Sequence, residues 1–208
     1  RCHGRDNPPA FLAEERFAKF RDGMTRLHAA VVATGATMIH ITPPVFDPLP
    51  IAAKVLRAGR ESKPTPFAGY NEVLARYSAW LVAQRAQGWD VIDAHNSMAA
   101  AIAHRRQTDP VFTFSKDGVH PDTAGHAVIA HAILSAWGLQ PDKNELLVTL
   151  TANPDTPLLQ LIRERRKLVM AAWLTATGHQ RPGVAAGLPL AEAELKAAAI
   201  GKKIRELK

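Results

Sequence analysis

The segment Asp117-Gly118-Val119-His120-Pro121 places a carboxylate three residues before an imidazole, across a glycine turn. At this spacing Asp117 can accept a hydrogen bond from Nδ1 of His120, which sets the imidazole tautomer and stabilises the imidazolium. Nε2 of His120 is then left to act as a general base. The alternative is an ordinary helix-entry turn with a surface histidine, because Asp and Gly are frequent turn residues. Pro121 suits the first turn of a following helix.

The other ionisable residues do not form a pattern that predicts a metal or cofactor site. His126 and His131 are five residues apart on one predicted helix, where a shared metal usually requires a spacing of four. Cys2 is the only cysteine, so neither an internal disulfide nor a zinc site built from several cysteines is predicted. Asp93 ends a predicted strand, where α/β folds place ligand groups. A helix N-cap is an equal alternative for it.

The elements that would position these residues follow from the periodicity of the apolar side chains. Apolar residues at three- and four-residue steps predict helices, and short buried runs predict strands. The predicted helices cover about residues 13–35, 70–88, 96–106 and 123–138, and the predicted strands cover 36–42 and 89–93. Residues 111–114 are either a third short strand or an extended segment. This alternation favours an α/β sandwich with a parallel sheet.

Length and charge indicate one domain with an attachment. A chain of 208 residues is somewhat longer than one average domain, and we place the boundary between 1–142 and a helical hairpin extension at 143–208. Residues 1–142 carry 15 basic and 13 acidic residues, whereas 143–208 carry 11 and 6. Few aromatic residues accompany these basic residues, so we interpret them as a solvated helix face and expect no nucleic-acid partner. The alternative is a basic tail that binds nucleic acid or another anionic polymer in a salt-dependent manner. No apolar run is long enough to predict a membrane span.

Three segments resemble the SGNH hydrolases, also called GDSL esterases, in the same order. FSKDGVHPDTAGHAVIAHAIL, at 114–134, resembles the last block of that family, which supplies the catalytic Asp and His. MIHITPPVFD, at 38–47, resembles the family's strand that ends in a Thr-Pro-Pro loop. Residues 70–98 resemble the helix, strand and Asp-containing segment that come next. The resemblance covers roughly residues 1–137.

The resemblance implies a flavodoxin-like three-layer α/β/α sandwich with a parallel sheet, from which the N-terminal strand is missing. It also implies hydrolysis of acyl or carbohydrate-acetyl esters without a cofactor. His120 would be the general base and then the general acid, and Asp117 would orient it. The partner would be a small-molecule or carbohydrate ester. Export to the periplasm or the cell exterior is a further implication, with its signal upstream of residue 1. The part after 142 resembles an extension of one group of bacterial GDSL-like proteins.

The sequence departs from the family at two catalytic positions. It contains no Gly-Asp-Ser motif, and Ser115, although close to Asp117, resembles a loop serine rather than the family's nucleophile. The family's Gly-x-Asn-Asp motif corresponds to residues 4–7, where Asp6 stands at the position of the oxyanion donor. An ionised Asp cannot donate, so Asn7 is the candidate donor, with an ordinary polar turn as the alternative. We therefore expect the C-terminal two-thirds of a hydrolase, inactive by itself. The alternative is a non-catalytic binding or scaffold protein.

Overall fold

The structure is a computed structural model that describes residues 14–56, 68–140, 142, 156–180, 183 and 185–207. Contacts divide the chain into two compact units, Arg1–Thr151 and Ala152–Lys208. The predicted boundary after residue 142 adjoins residues 143–155, which lie outside the described part, so the predicted boundary stays a prediction.

The first unit contains four α-helices and two short strands among its described residues. They are α1 Glu14–Val32, β1 Ile39–Ile41, a 3-10 segment Leu49–Lys54, α2 Tyr70–Ala83, a 3-10 segment Gln84–Gln87, β2 Asp90–Ile92, α3 Ala94–Arg105 and α4 Thr123–Ala136. Each predicted helix and both predicted strands form, with ends that differ by a few residues.

The predicted flavodoxin-like three-layer sandwich is wrong. β1 and β2 pair in parallel, with His40 opposite Val91, and theirs is the only sheet within the described residues. Helix dominates the remaining described structure. Alternation of helices with strands predicts a layered sheet only if enough strands form, and here two short strands cannot provide a central layer.

Residues 111–114 do not form the third strand because their polar groups bind local partners. The Phe112 N–H donates to the Asp109 carbonyl oxygen at 3.0 Å, as in a turn. The Thr113 hydroxyl lies 2.6 Å from a carboxylate oxygen of Asp47, and the Ser115 N–H donates to the Thr113 hydroxyl. In a strand, these backbone N–H groups would instead hydrogen-bond to a neighbouring strand.

A small apolar core lies beneath the turn that carries Asp117 and His120. Its fully buried members come from the loop after β1, from α3 and from the segment before the turn: Val45, Met98, Ile102 and Phe114. α4 approaches this core closely at Gly125, where an added Cβ would lie 2.8 Å from Cβ of Pro121 and 3.0 Å from Cβ of Phe114. The turn is therefore supported from below by packed side chains.

Among its described residues, the second unit contains two helices, α5 Pro157–Ala176 and α6 Leu190–Glu206. α5 begins at Thr156, whose hydroxyl accepts a hydrogen bond from the Leu159 N–H, with Pro157 in the first turn. Small side chains let the helices approach, since Ala172, Ala193 and Ala197 are buried. Within the described part of the chain, no helix combines the length and apolarity needed to cross a bilayer.

Candidate functional site

The structure brings Asp117 and His120 together. Oδ2 of Asp117 lies 2.7 Å from Nδ1 of His120. Oδ1 of Asp117 accepts hydrogen bonds from the backbone N–H groups of His120 at 2.8 Å and Val119 at 3.0 Å. The carboxylate therefore closes the turn and holds the imidazole at the same time.

These contacts stabilise the ionised form of Asp117. The hydrogen bond from the His120 N–H, that from the His120 ring and that from the Val119 N–H together hold the pKa of the Asp117 carboxyl well below its usual range. Desolvation opposes this shift only weakly, because the side chain is 57% exposed. Asp117 is thus an anion at any physiological pH.

An ionised carboxylate can only accept, so Nδ1 of His120 must carry the proton of this hydrogen bond. The neutral imidazole is then the Nδ1–H tautomer, and its Nε2 carries the free lone pair. The His120 side chain is 84% exposed. Nε2 of His120 is therefore an oriented, solvent-accessible base. When His120 is protonated, the Asp117 carboxylate lies beside the positive charge.

Gly118 gives the turn its shape. Its φ of +76° lies in the left-handed region, which side-chain-bearing residues rarely adopt. The Gly118 carbonyl oxygen accepts a hydrogen bond from the Asp47 N–H at 2.9 Å. An added Cβ at Gly118 would lie 2.5 Å from the Asp47 carbonyl oxygen. The loop after β1 therefore packs directly on the turn, at a distance that only glycine allows.

Asp47 is buried and connects that loop to α3. One carboxylate oxygen accepts from Arg106 at 2.7 Å and from the Thr113 hydroxyl at 2.6 Å. The other accepts from the Leu49 N–H at 3.2 Å. Arg106 also donates to the Phe112 carbonyl oxygen at 2.9 Å. This network fixes the Asp47 backbone against Gly118. Sequence reasoning placed Asp47 within the Thr-Pro-Pro segment but did not predict this role.

The far side of the turn is fixed by the start of α4. The Asp122 N–H donates to the Phe114 carbonyl oxygen at 2.7 Å, and the Asp122 carboxylate accepts from the Gly125 N–H at 2.9 Å as the helix N-cap. The segment from Phe114 to Asp122 is therefore closed on itself, with Asp117 and His120 at its exposed edge.

The carboxyl ends of β1 and β2 are occupied by structural hydrogen bonds. Asp93 is the N-cap of α3 and accepts from the Asn96 N–H at 3.0 Å, which confirms the N-cap alternative. The Thr42 hydroxyl bridges the two strand ends, because it donates to Asp93 at 3.3 Å and accepts from the His95 N–H at 2.9 Å.

Among the described candidates, neither Ser115 nor His131 contributes a side-chain contact to the Asp117–His120 pair. Asn7 lies outside the described residues. Ser115 is buried, with 2% of its surface exposed, so it is not presented to a solvent-borne substrate. Nδ1 of His131 lies 3.5 Å from the Ser135 hydroxyl, one helical turn away. Within the described ranges, no three His, Cys, Asp or Glu side chains come together as a metal site.

A histidine pair that sequence reasoning missed lies between α1 and β1. Nδ1 of His28 is 3.0 Å from Nε2 of His40, and Trp89 stacks on both rings at centroid distances of 4.0 and 4.6 Å. Burial, followed by the neighbouring His28, lowers the pKa of His40. A spacing of 12 residues across a helix, a turn and a strand offers no local signal for this pair.

No family model matches this chain, and no curated protein matches it. A solved structure of a gut microbial diltiazem-metabolizing enzyme is similar in part, with a TM-score of 0.42 and 23% sequence identity. The similarity covers 58% of this chain and 27% of that enzyme, so this chain spans about a quarter of its length. At so low a TM-score, the likeness carries no argument about the fold or the activity of this chain.

Proposed function

We propose that this chain carries the acid-base pair of an SGNH-type serine ester hydrolase. The observation that carries the proposal is the 2.7 Å contact between Oδ2 of Asp117 and Nδ1 of His120, with Nε2 of His120 on an exposed ring. The ordered resemblance of three sequence segments to that family supports the type of chemistry. The substrates would be acyl esters or carbohydrate acetyl esters.

In this reaction a serine hydroxyl attacks the ester carbonyl carbon, and Nε2 of His120 takes the serine proton. The same proton then passes to the departing alcohol as the acyl-oxygen bond breaks. Water repeats the sequence on the acyl-serine and releases the acid. Asp117 keeps His120 in the Nδ1–H tautomer and stabilises the imidazolium in both halves. The serine would come from outside residues 1–208, because no serine here stands in a Gly-Asp-Ser motif.

The missing motif and the burial of Ser115 favour a second candidate, a non-catalytic protein that binds esters or glycans without cleaving them. In that case the Asp117–His120 turn would be a binding or structural feature. The two candidates can be distinguished with a serine-directed covalent reagent. The hydrolase would react with it, and the non-catalytic protein would not.

The test uses the longest natural protein that contains these residues, with residues 1–208 alone as a comparison. Hydrolysis of p-nitrophenyl acetate and labelling by a fluorophosphonate are measured for each. We expect labelling and hydrolysis in the longer protein, and a loss of at least about 100-fold in kcat for His120→Ala, since a general base contributes that much or more. His104→Ala, at an exposed position of α3, is the matched control.

Two outcomes would overturn the proposal. One is hydrolysis by the longer protein that is unchanged in His120→Ala. The other is a longer protein that neither reacts with the fluorophosphonate nor hydrolyses the ester, which would favour the non-catalytic candidate.

A further inference from the structure

Two guanidinium groups converge on a glycine between the helices of the second unit. A Cβ built at Gly201 in α6 would lie 3.7 Å from Nη1 of Arg205 and 3.8 Å from Nε of Arg165, which comes from α5. Neither arginine makes an ion pair with any residue in the described part of the chain. The missing side chain at Gly201 thus leaves a small space bordered by two cationic groups from different helices.

Two guanidinium groups on one small space favour an oxyanion. Each presents N–H donors in a planar arrangement that matches phosphate or carboxylate oxygens, and two such groups without an acidic partner repel one another until an anion binds. The net positive charge of the second unit also favours an anion, because residues 156–207 carry eight basic and four acidic residues within their described ranges. An anion at Gly201 would therefore be held by both helices.

An apolar stripe on α5 consists of three exposed large side chains, with the exposed Arg166 between the first of them and the other two. Ile162, Met170 and Trp173 are 42%, 47% and 50% exposed. Residues three or four apart are neighbours on a helix surface, so Arg165 adjoins Ile162, and Met170 adjoins Trp173. α5 packs against α6, and Ala172 of α5 is buried. The second unit thus presents large apolar side chains next to unpaired cationic groups.

We propose that the second unit binds an anionic lipid surface, with a headgroup phosphate between Arg165 and Arg205 and the apolar stripe of Ile162, Met170 and Trp173 in the interface. Helices that expose large apolar side chains together with basic residues can lie in the plane of an anionic membrane without crossing it. Nucleic acid fits less well, because contacts to its phosphate backbone do not bury residues such as Ile162 and Met170. This proposal does not depend on the ester hydrolase proposal.

The test measures binding of the full chain to vesicles of phosphatidylcholine with phosphatidylserine, to vesicles of phosphatidylcholine alone, and to duplex DNA at the same ionic strength. Cosedimentation gives the affinity. Tryptophan fluorescence is measured in parallel, and a blue shift of the emission that is lost in Trp173→Phe shows that Trp173 enters the interface. We expect strong binding to the anionic vesicles, weak binding to the neutral ones, and a blue shift that depends on Trp173.

Two double variants separate the site from general charge attraction. Arg165→Gln with Arg205→Gln is expected to weaken anionic vesicle binding about 30-fold, from the usual contribution of two basic residues at an anionic bilayer. Lys167→Gln with Lys196→Gln removes the same charge from residues that line a groove on the other flank of the hairpin. We expect this control to change the affinity less than about 3-fold.

A third double variant, Ile162→Ser with Met170→Ser, tests the stripe at exposed positions where the fold does not depend on the side chain. It is expected to abolish the Trp173 shift while helical circular dichroism is retained. Equal losses from the two charge variants would overturn the arginine site. Binding to DNA that exceeds binding to anionic vesicles and is insensitive to the stripe variant would overturn the lipid assignment.

Discussion

The backbone N–H of Asp47 donates a hydrogen bond to the carbonyl oxygen of Gly118 at 2.9 Å. This contact connects the loop that leaves β1 to the turn that carries Asp117 and His120. The Asp47 side chain is itself fixed by Arg106 and Thr113. The exposed turn that carries Asp117 and His120 is therefore connected, through Gly118, to a buried carboxylate and its partners.

Replacing Gly118 by Ala is expected to destabilise the fold by at least about 2 kcal/mol, since it combines a left-handed backbone with a steric clash. The new Cβ would lie 2.5 Å from the Asp47 carbonyl oxygen. Gly35→Ala is the matched control, because Gly35 has a φ of +81° with nothing within 4 Å of an added Cβ. Its cost should be about 1 kcal/mol. Equal free energies of unfolding in urea for the two variants would contradict the clash.

Asp47→Asn is expected to lower the free energy of unfolding by about 2–3 kcal/mol, because it leaves Arg106 without its buried anionic partner. The NMR signals of the His120 ring should shift as well, since the Asp47 backbone holds Gly118. Glu15→Gln is the control, because its ion pair with Lys19 is exposed and is expected to contribute less than about 1 kcal/mol. Unchanged His120 signals in Asp47→Asn would show that the network does not position the turn.

The pKa of the Asp117 carboxyl should lie below its usual range. The His120→Ala variant should raise this pKa only part of the way to its ordinary value. The variant removes the ring hydrogen bond but keeps the His120 backbone N–H, which makes the largest contribution to the shift. Because the pKa of Asp117 is lowered in the folded state, its contribution to stability is present above the usual carboxyl pKa and is lost as pH falls through the folded value. The measurement is the pH titration of the Asp117 carboxyl carbon by NMR.

A full return of the Asp117 pKa to its ordinary value in His120→Ala would contradict the assignment of the largest effect to the backbone. Lys116→Ala serves as a control, because it changes a neighbouring charge without removing a hydrogen bond to Asp117.

The His28–His40 pair is expected to make stability pH-dependent in the histidine range. Burial lowers the pKa of His40 in the folded state, so the unfolded chain takes up the proton first. The contribution of His40 is complete above the ordinary histidine pKa of about 6.5 and is lost as pH falls below it. Free energies of unfolding are measured across this range for the protein and for His40→Gln.

The pH dependence should be weaker in His40→Gln than in the parent protein. His104→Gln, at an exposed position, should keep the parent's pH dependence. If His40→Gln and the parent lose stability in parallel as pH falls, the pair is not the source of the effect.

Features that depend on near neighbours in the chain could be predicted from the amino-acid sequence. Helix α1 was predictable from Phe17, Phe20 and Met24 because the helical period is a local property. The pairing of Asp117 with His120 was predictable for the same reason, since three residues and one glycine turn are enough to bring the two side chains together. The N-cap role of Asp93 was one of two open alternatives, and the structure shows the N-cap.

Features that depend on partners distant in sequence could not be predicted and emerged from the folded chain. Within the described residues the sheet has two strands, and residues 111–114 bind Asp47 and an adjacent turn instead of extending it. Strand formation depends on such tertiary context. The contacts between Asp47 and Gly118 and between His28 and His40 likewise join different elements. No periodicity or spacing encodes these contacts, because they arise from how the helices and loops pack on one another.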